Sequence, residues 1–320
     1  MDGRPWWIDT EWRPTHSTRG AKPRRHHKIL GYEAKKLALA REILGIAEET
    51  DRFIGPYQLA TDVQDTGFLG HLDAIARHAE DAYFARYGRR PGGESNQAMI
   101  LFQRRDDYRR YSDSIDRGRG GSTGVAKLSE VSGHAGSGVL TFYAEGRVPE
   151  TLGQTFLHEI NHRAIGPILP PWLEEGMASD IGTLWLEDPD EVAHPPWTRP
   201  ADPSFRGRDL YSYRVQFSNT DLVPVDELLV FARQLFHQRE LQAFTYAHSV
   251  LLVRYLLDAE MGRHADGFRE FLKKLAFGLR YDPRLLYREL GVDSAELEEG
   301  FRTWLNDVES ASAEVASEDL

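Results

Sequence analysis

The residues most able to do chemistry in this chain are His158, Glu159 and His162, which spell the pattern H-E-x-x-H. On an α-helix, positions i and i+4 lie on one face, so the two imidazoles can bind one metal ion. Glu159 adjoins the first histidine, where its carboxylate can reach a metal-bound water. The three residues therefore predict a zinc site that supports hydrolysis.

The flanking residues predict the helix that must position these side chains. Pro149 is typical of a first helical turn. Leu152, Phe156 and Ile160 recur at helical spacing and give the helix one apolar stripe. Gly166 is followed by proline, a pair that ends helices. The motif is thus expected in the middle of a helix with one buried face.

A second predicted helix offers a third metal ligand. It follows a short turn at Pro171 and carries the run Trp-Leu-Glu-Glu-Gly, which includes Glu175. A helix, a tight loop and a returning helix can bring Glu175 back to the metal. Two histidines and one glutamate leave the fourth coordination position open to water, as a catalytic zinc ion requires.

Together, H-E-x-x-H and the following Pro-x-Trp-Leu-x-Glu-Gly-x-Ala resemble the gluzincin clan of zinc metallopeptidases, most closely its peptidase-MA-like bacterial group. In that pattern the third ligand is the glutamate directly before glycine, which gives Glu175, with Glu174 as the alternative. The segment from Phe244 resembles the clan's downstream helix, where a tyrosine near the helix start binds the oxyanion. That role falls to Tyr246. The clan's large aminopeptidases differ, because their Gly-x-Met-Glu-Asn motif is missing here.

The resemblance implies a zincin-like α+β fold, with a small mixed sheet packed on the H-E-x-x-H helix and a mainly helical C-terminal half. It implies a Zn²⁺ endopeptidase acting on peptide or protein substrates, with Glu159 as the general base. The strand predicted at Val139–Ala144 is expected to pair with an extended substrate. Two other interpretations remain open: a zinc-binding interaction module without proteolytic activity, and a metal-dependent hydrolase of a non-peptide bond.

Composition narrows the class of protein. Acidic residues number 50 against 39 basic ones, a net charge of −11, which disfavours general nucleic-acid binding. The absence of cysteine excludes disulfides, thiol catalysis and cysteine-ligated zinc. No apolar run is long enough for a membrane span. No signal peptide is recognisable, whereas the resemblance implies an exported protein whose leader has been removed. The sequence indicates neither the compartment nor the oligomeric state.

The chain is predicted to divide into four parts. Residues 1–50 form a basic, tryptophan-containing arm and a helix. Residues 51–187 form the α+β half that carries the metal-binding helix. Residues 188–310 comprise a Pro-rich loop and a helical half, and residues 311–320 an acidic tail predicted to be disordered.

Overall fold

The computed structural model of the chain describes most of its helices and strands. The described residues are 35–46, 52–55, 57–88, 97–116, 133–136, 139–147, 149–165, 169–187, 223–231, 236, 239–277 and 279–318. The predicted arm before residue 35 and the Pro-rich loop from residue 188 to 222 lie outside them. The described elements are a mixture of helices and strands, so the predicted α+β class is confirmed.

The chain folds into two compact units. The first comprises Met1–Phe84 and Arg90–Gly166, and the second comprises Ala85–Arg89 and Pro167–Leu320. This division differs from the predicted boundary after residue 187. As a result, the H-E-x-x-H helix belongs to the first unit, whereas the helices that carry Glu175 and Tyr246 belong to the second.

The first unit alternates short strands with helices. The chain is helical over 35–44, which we call α1. In chain order its other elements are β1 (Arg52–Ile54), β2 (Tyr57–Thr61), α2 (Thr66–Tyr87), β3 (Gln97–Phe102), α3 (Arg105–Asp116), β4 (Gly133–Gly136), β5 (Val139–Tyr143) and α4 (Pro149–Ile165). Helix α2 ends in the second unit, because its last turn from Ala85 onwards is assigned there.

The five strands form one mixed sheet in the order β1-β2-β3-β5-β4. The three central strands are parallel, and β1 and β4 run antiparallel to their neighbours. Strand β5 is paired on both sides, so the expectation that Val139–Ala144 would pair with a substrate is wrong. Among the described strands, β4 is the edge on that side of the sheet.

Both faces of the sheet are covered. Side chains alternate between the faces along a strand. Ile100 and Tyr143 pack with Tyr108 of α3 on one face. On the other face, the ring of Phe156 in α4 lies 5.7 Å from that of Phe142 and 5.8 Å from that of Tyr57. Burial on two faces explains why β3 and β5 read as continuous apolar runs.

The second unit consists of helices wherever it is described. They are α5 (Pro171–Glu187), α6 (Val225–Val230), α7 (Arg239–Asp258), a 3₁₀ turn (Ala259–Met261), α8 (Ala265–Ala276), α9 (Pro283–Leu290) and α10 (Ser294–Glu318). The tail predicted to be disordered from residue 311 is helical as far as Glu318. Alanine and glutamate, both strong helix formers, recur in that segment and sustain the helix. None of the described helices is long and apolar enough to cross a bilayer.

Candidate metal centre

Helix α4 presents the three motif residues on its less buried side. The predicted apolar stripe is buried, with Leu152, Phe156 and Ile160 at most 4% exposed. His158, Glu159 and His162 are only partly buried. The same periodicity that packs the helix against the sheet therefore leaves the motif accessible to a metal ion and to water.

A turn with two backbone hydrogen bonds connects β5 to this helix. The N–H of Ala144 donates to the carbonyl of Phe102 at 2.8 Å, and the N–H of Arg147 donates to the carbonyl of Ala144 at 3.0 Å. Between them, Gly146 has a φ of +71°, a left-handed conformation that favours glycine. The guanidinium carbon of Arg147 lies 4.1 Å from the centre of the Tyr143 ring. These contacts fix where the chain leaves the sheet to start α4.

The edge strand β4 lies close against the same helix. A Cβ atom added to Gly133 would lie 2.4 Å from the ring of Phe142 and 3.1 Å from Cγ2 of Thr155. Only glycine fits in this space without displacing its neighbours. Thr155 precedes Glu159 by one helical turn, so the edge of the sheet runs beside the motif.

The two histidines could hold one ion between them. Their Nε2 atoms are 3.1 Å apart, and their ring planes meet at 79°. Two imidazole nitrogens bound tetrahedrally to zinc at about 2.0–2.1 Å are separated by about 3.3 Å. The side-chain geometry is therefore close to the one that a shared zinc ion requires.

Glu159 completes the group. One ligand atom from each of His158, Glu159 and His162 lies within 4.8 Å of the other two. Within the described residues, no other set of three histidine or acidic side chains meets this criterion. The group could therefore hold a metal ion.

The charge of Glu159 acts on Tyr108 of α3, a residue that no motif in the sequence indicates. Burial raises the pKa of the Tyr108 phenol, and the negative charge of Glu159 raises it further. The hydroxyl therefore stays protonated at neutral pH. The Tyr108 ring packs 5.1 Å from the ring of Tyr143. No spacing rule links a residue of α3 to α4, so only the fold could reveal this electrostatic influence.

Glu175 lies on α5 in the second unit. It is 4% exposed, whereas its neighbour Glu174 is more accessible. The start of α5 is anchored by Trp172, which is fully buried and donates from Nε1 to the hydroxyl of Tyr281 at 2.9 Å. The Trp-Leu-Glu-Glu-Gly run thus forms the buried first turns of a helix, as predicted.

Tyr246 lies on α7, which packs against α5 in the same unit. Its ring is partly exposed and lies 5.6 Å from that of Phe236. The two helices approach closely at Gly176, where an added Cβ would lie 2.7 Å from the carbonyl oxygen of Ser249. Gly176 directly follows Glu175, and Ser249 follows Tyr246 by one turn. Glu175 and Tyr246 therefore lie on neighbouring turns of two tightly packed helices.

Comparison of the chain with protein-family models, with curated proteins and with solved structures finds no match. The resemblance to gluzincins thus stays a prediction from the motif residues. The structure shows two separate groups of the predicted site residues. His158, Glu159 and His162 lie together on α4 in the first unit, and Glu175 and Tyr246 lie on two packed helices in the second.

Proposed function

We propose that the protein is a zinc-dependent peptidase of zincin-like fold. The observation that carries this proposal is the 3.1 Å separation of the His158 and His162 Nε2 atoms, with Glu159 in the same group. A structural zinc site usually fills all four positions with protein ligands and has no use for a base. The presence of a carboxylate next to the first histidine favours a catalytic site instead.

The proposed ligands are His158, His162 and Glu175, with Glu174 as the alternative third ligand. Glu175 is favoured because it precedes the glycine that allows α5 to pack closely on α7. When bound, the zinc ion would lower the pKa of a water ligand and polarise the substrate carbonyl.

The reaction steps are assigned to side chains of this chain. Glu159 accepts a proton from the attacking water and then delivers it to the leaving amine. The hydroxyl of Tyr246 donates a hydrogen bond to the oxyanion that develops on the substrate carbonyl. Burial and the charge of Glu159 both raise the pKa of Tyr108, so this phenol stays neutral at neutral pH.

The edge of the sheet supports a peptide as the substrate. Strand β4 leaves one row of backbone N–H and C=O groups without a neighbouring strand among the described residues. An extended peptide can add to such an edge through main-chain hydrogen bonds. Because Gly133 of β4 packs on Thr155, a peptide bound there would run alongside the turn that carries Glu159.

Digestion of a peptide library by the purified chain tests this proposal. Mass spectrometry of the products should show cleavage in the presence of zinc, loss of cleavage with a chelator, and recovery when zinc is restored. The matched control is Glu159→Gln, which keeps the side-chain shape and lacks the base. A wild-type chain that binds zinc but cleaves no member of the library would contradict the proposal and favour a non-peptide substrate or an interaction module. Cleavage that survives both the chelator and Glu159→Gln would exclude this metal centre as its source.

A further inference from the structure

A buried acidic residue holds three side chains together in the second unit. Asp180 of α5 is 0% exposed and accepts hydrogen bonds from Arg86, Arg254 and Tyr87. The Arg254 bond is 2.9 Å long, and Arg86 binds both carboxylate oxygens, at 2.9 and 3.1 Å. Asp180 thereby joins α5 to α7 and to the last turn of α2.

A second acid balances the charge of this cluster. Asp258, at the end of α7, accepts from both terminal nitrogens of Arg86 at 2.5 and 2.6 Å. Burial alone would lower the pKa of Arg86, but the charges of Asp180 and Asp258 raise it well above its usual value. The two arginines are thus paired with two acids, whereas an unpaired buried charge would be costly.

The cluster lies next to the close contact between α5 and α7. Gly176 touches the backbone of Ser249, and one turn further along each helix Asp180 binds Arg254. Two contacts spaced along a helix pair fix both its separation and its register. The contact at Gly176 sets the separation, because any larger residue would meet the backbone of Ser249. The Asp180–Arg254 bond sets the register, because a guanidinium donates in fixed directions.

We propose that Asp180 and Arg254 are positioning residues that hold Glu175 and Tyr246 in the arrangement used for zinc binding and catalysis. The inference rests on the proposed function, because it assigns a purpose to the register of the helices that carry the third ligand and the oxyanion donor. Directional ion pairs hold the register of two helices better than apolar contacts do, because apolar contacts tolerate small sliding movements.

Arg254→Met provides the main test. Methionine keeps the length and packing of the side chain but removes the bond from α7, while Asp180 retains Arg86 and Tyr87 as partners. Arg254→Lys keeps the charge without the planar fork and serves as the milder variant if Arg254→Met unfolds. The control is Leu286→Ala, because Leu286 is fully buried on α9 and its truncation destabilises the same unit away from α5 and α7.

The readout is the dissociation constant for zinc, measured by chelator competition at a temperature where every variant is folded. Partners outside the ligand shell typically change metal affinity by about 10–100-fold. We expect a weakening of about tenfold in Arg254→Met, a smaller one in Arg254→Lys, and none in Leu286→Ala. Equal weakening in Arg254→Met and Leu286→Ala would show a general stability effect and overturn the inference, as would unchanged affinity in both arginine variants. A wild-type chain that binds no zinc would instead contradict the proposed function and this inference together.

Discussion

The close contact between α5 and α7 allows a quantitative prediction from Gly176→Ala. The new Cβ would lie 2.7 Å from the carbonyl oxygen of Ser249, 2.9 Å from its carbonyl carbon and 2.9 Å from a methyl group of Val253. Unstrained contacts between carbon atoms need about 3.5–4.0 Å, so α5 and α7 must move apart. Two of the three atoms are backbone and cannot rotate away.

The two opposing effects of this substitution can be estimated. Overpacking of this kind costs about 1–3 kcal/mol, and the rigid backbone contact places Gly176→Ala near the upper end. Alanine also gains about 1 kcal/mol over glycine in helix propensity. We therefore expect a net loss of about 1–2 kcal/mol in the free energy of unfolding. Because the helices separate beside Glu175, zinc affinity should fall as well.

Gly70→Ala is the matched control. Gly70 is also helical, in α2, but an added Cβ there would have no atom within 4 Å. Only the propensity gain remains, so Gly70→Ala should stabilise the chain by about 0.5–1 kcal/mol. Urea unfolding followed by circular dichroism measures both variants. If Gly176→Ala proved as stable as Gly70→Ala, the tight packing of α5 on α7 would be refuted.

Three further predictions concern single side chains. His248 is fully buried and stacked on Phe301; burial lowers its pKa to about 3, so it is neutral when folded and takes up a proton on unfolding. The stability that neutral His248 contributes is complete above the unfolded pKa of about 6.5 and is lost as the pH falls towards 3. Between pH 7 and 4.5, the free energy of unfolding of the wild type should therefore fall by about 2–3 kcal/mol more than that of His248→Phe, as measured by urea titration. Tyr246→Phe should retain zinc and stability but lower kcat by about 10²–10³-fold with little change in KM, and an unchanged kcat would return Tyr246 to a packing role. Glu175→Gln should weaken zinc binding by more than about 100-fold in chelator competition, whereas Glu174→Gln should not; the reverse order would make Glu174 the ligand.

Local patterns in the sequence were sufficient to predict the metal-binding helix. The spacing of Leu152, Phe156 and Ile160 predicted α4, and the structure has the helix at Pro149–Ile165. The i, i+4 rule likewise placed His158 and His162 on one face, with ring nitrogens at 3.1 Å. These predictions are confirmed because the helical repeat alone determines them.

Features that depend on distant residues could not be predicted in this way. Strand β4 reads Gly-His-Ala-Gly, which has neither apolar alternation nor β-branched residues, so the sequence does not predict it as a strand. Pairing with an extended substrate was therefore assigned to β5. Asp180 binds Arg86, which is 94 positions away, and Arg254, which is 74 positions away. No periodicity connects such residues, because only the packing of three helices brings them together.

The turnover of the best-cleaved library peptide by wild type and Glu159→Gln, at equal zinc content per chain, tests the central claim most directly. Glutamine occupies the space of glutamate but cannot accept the proton of the attacking water. The account predicts that the variant binds zinc as the wild type does and cleaves about 10²–10⁴-fold more slowly. Cleavage by Glu159→Gln at the wild-type rate would contradict the account, because the carboxylate beside the two histidines would then have no part in the reaction.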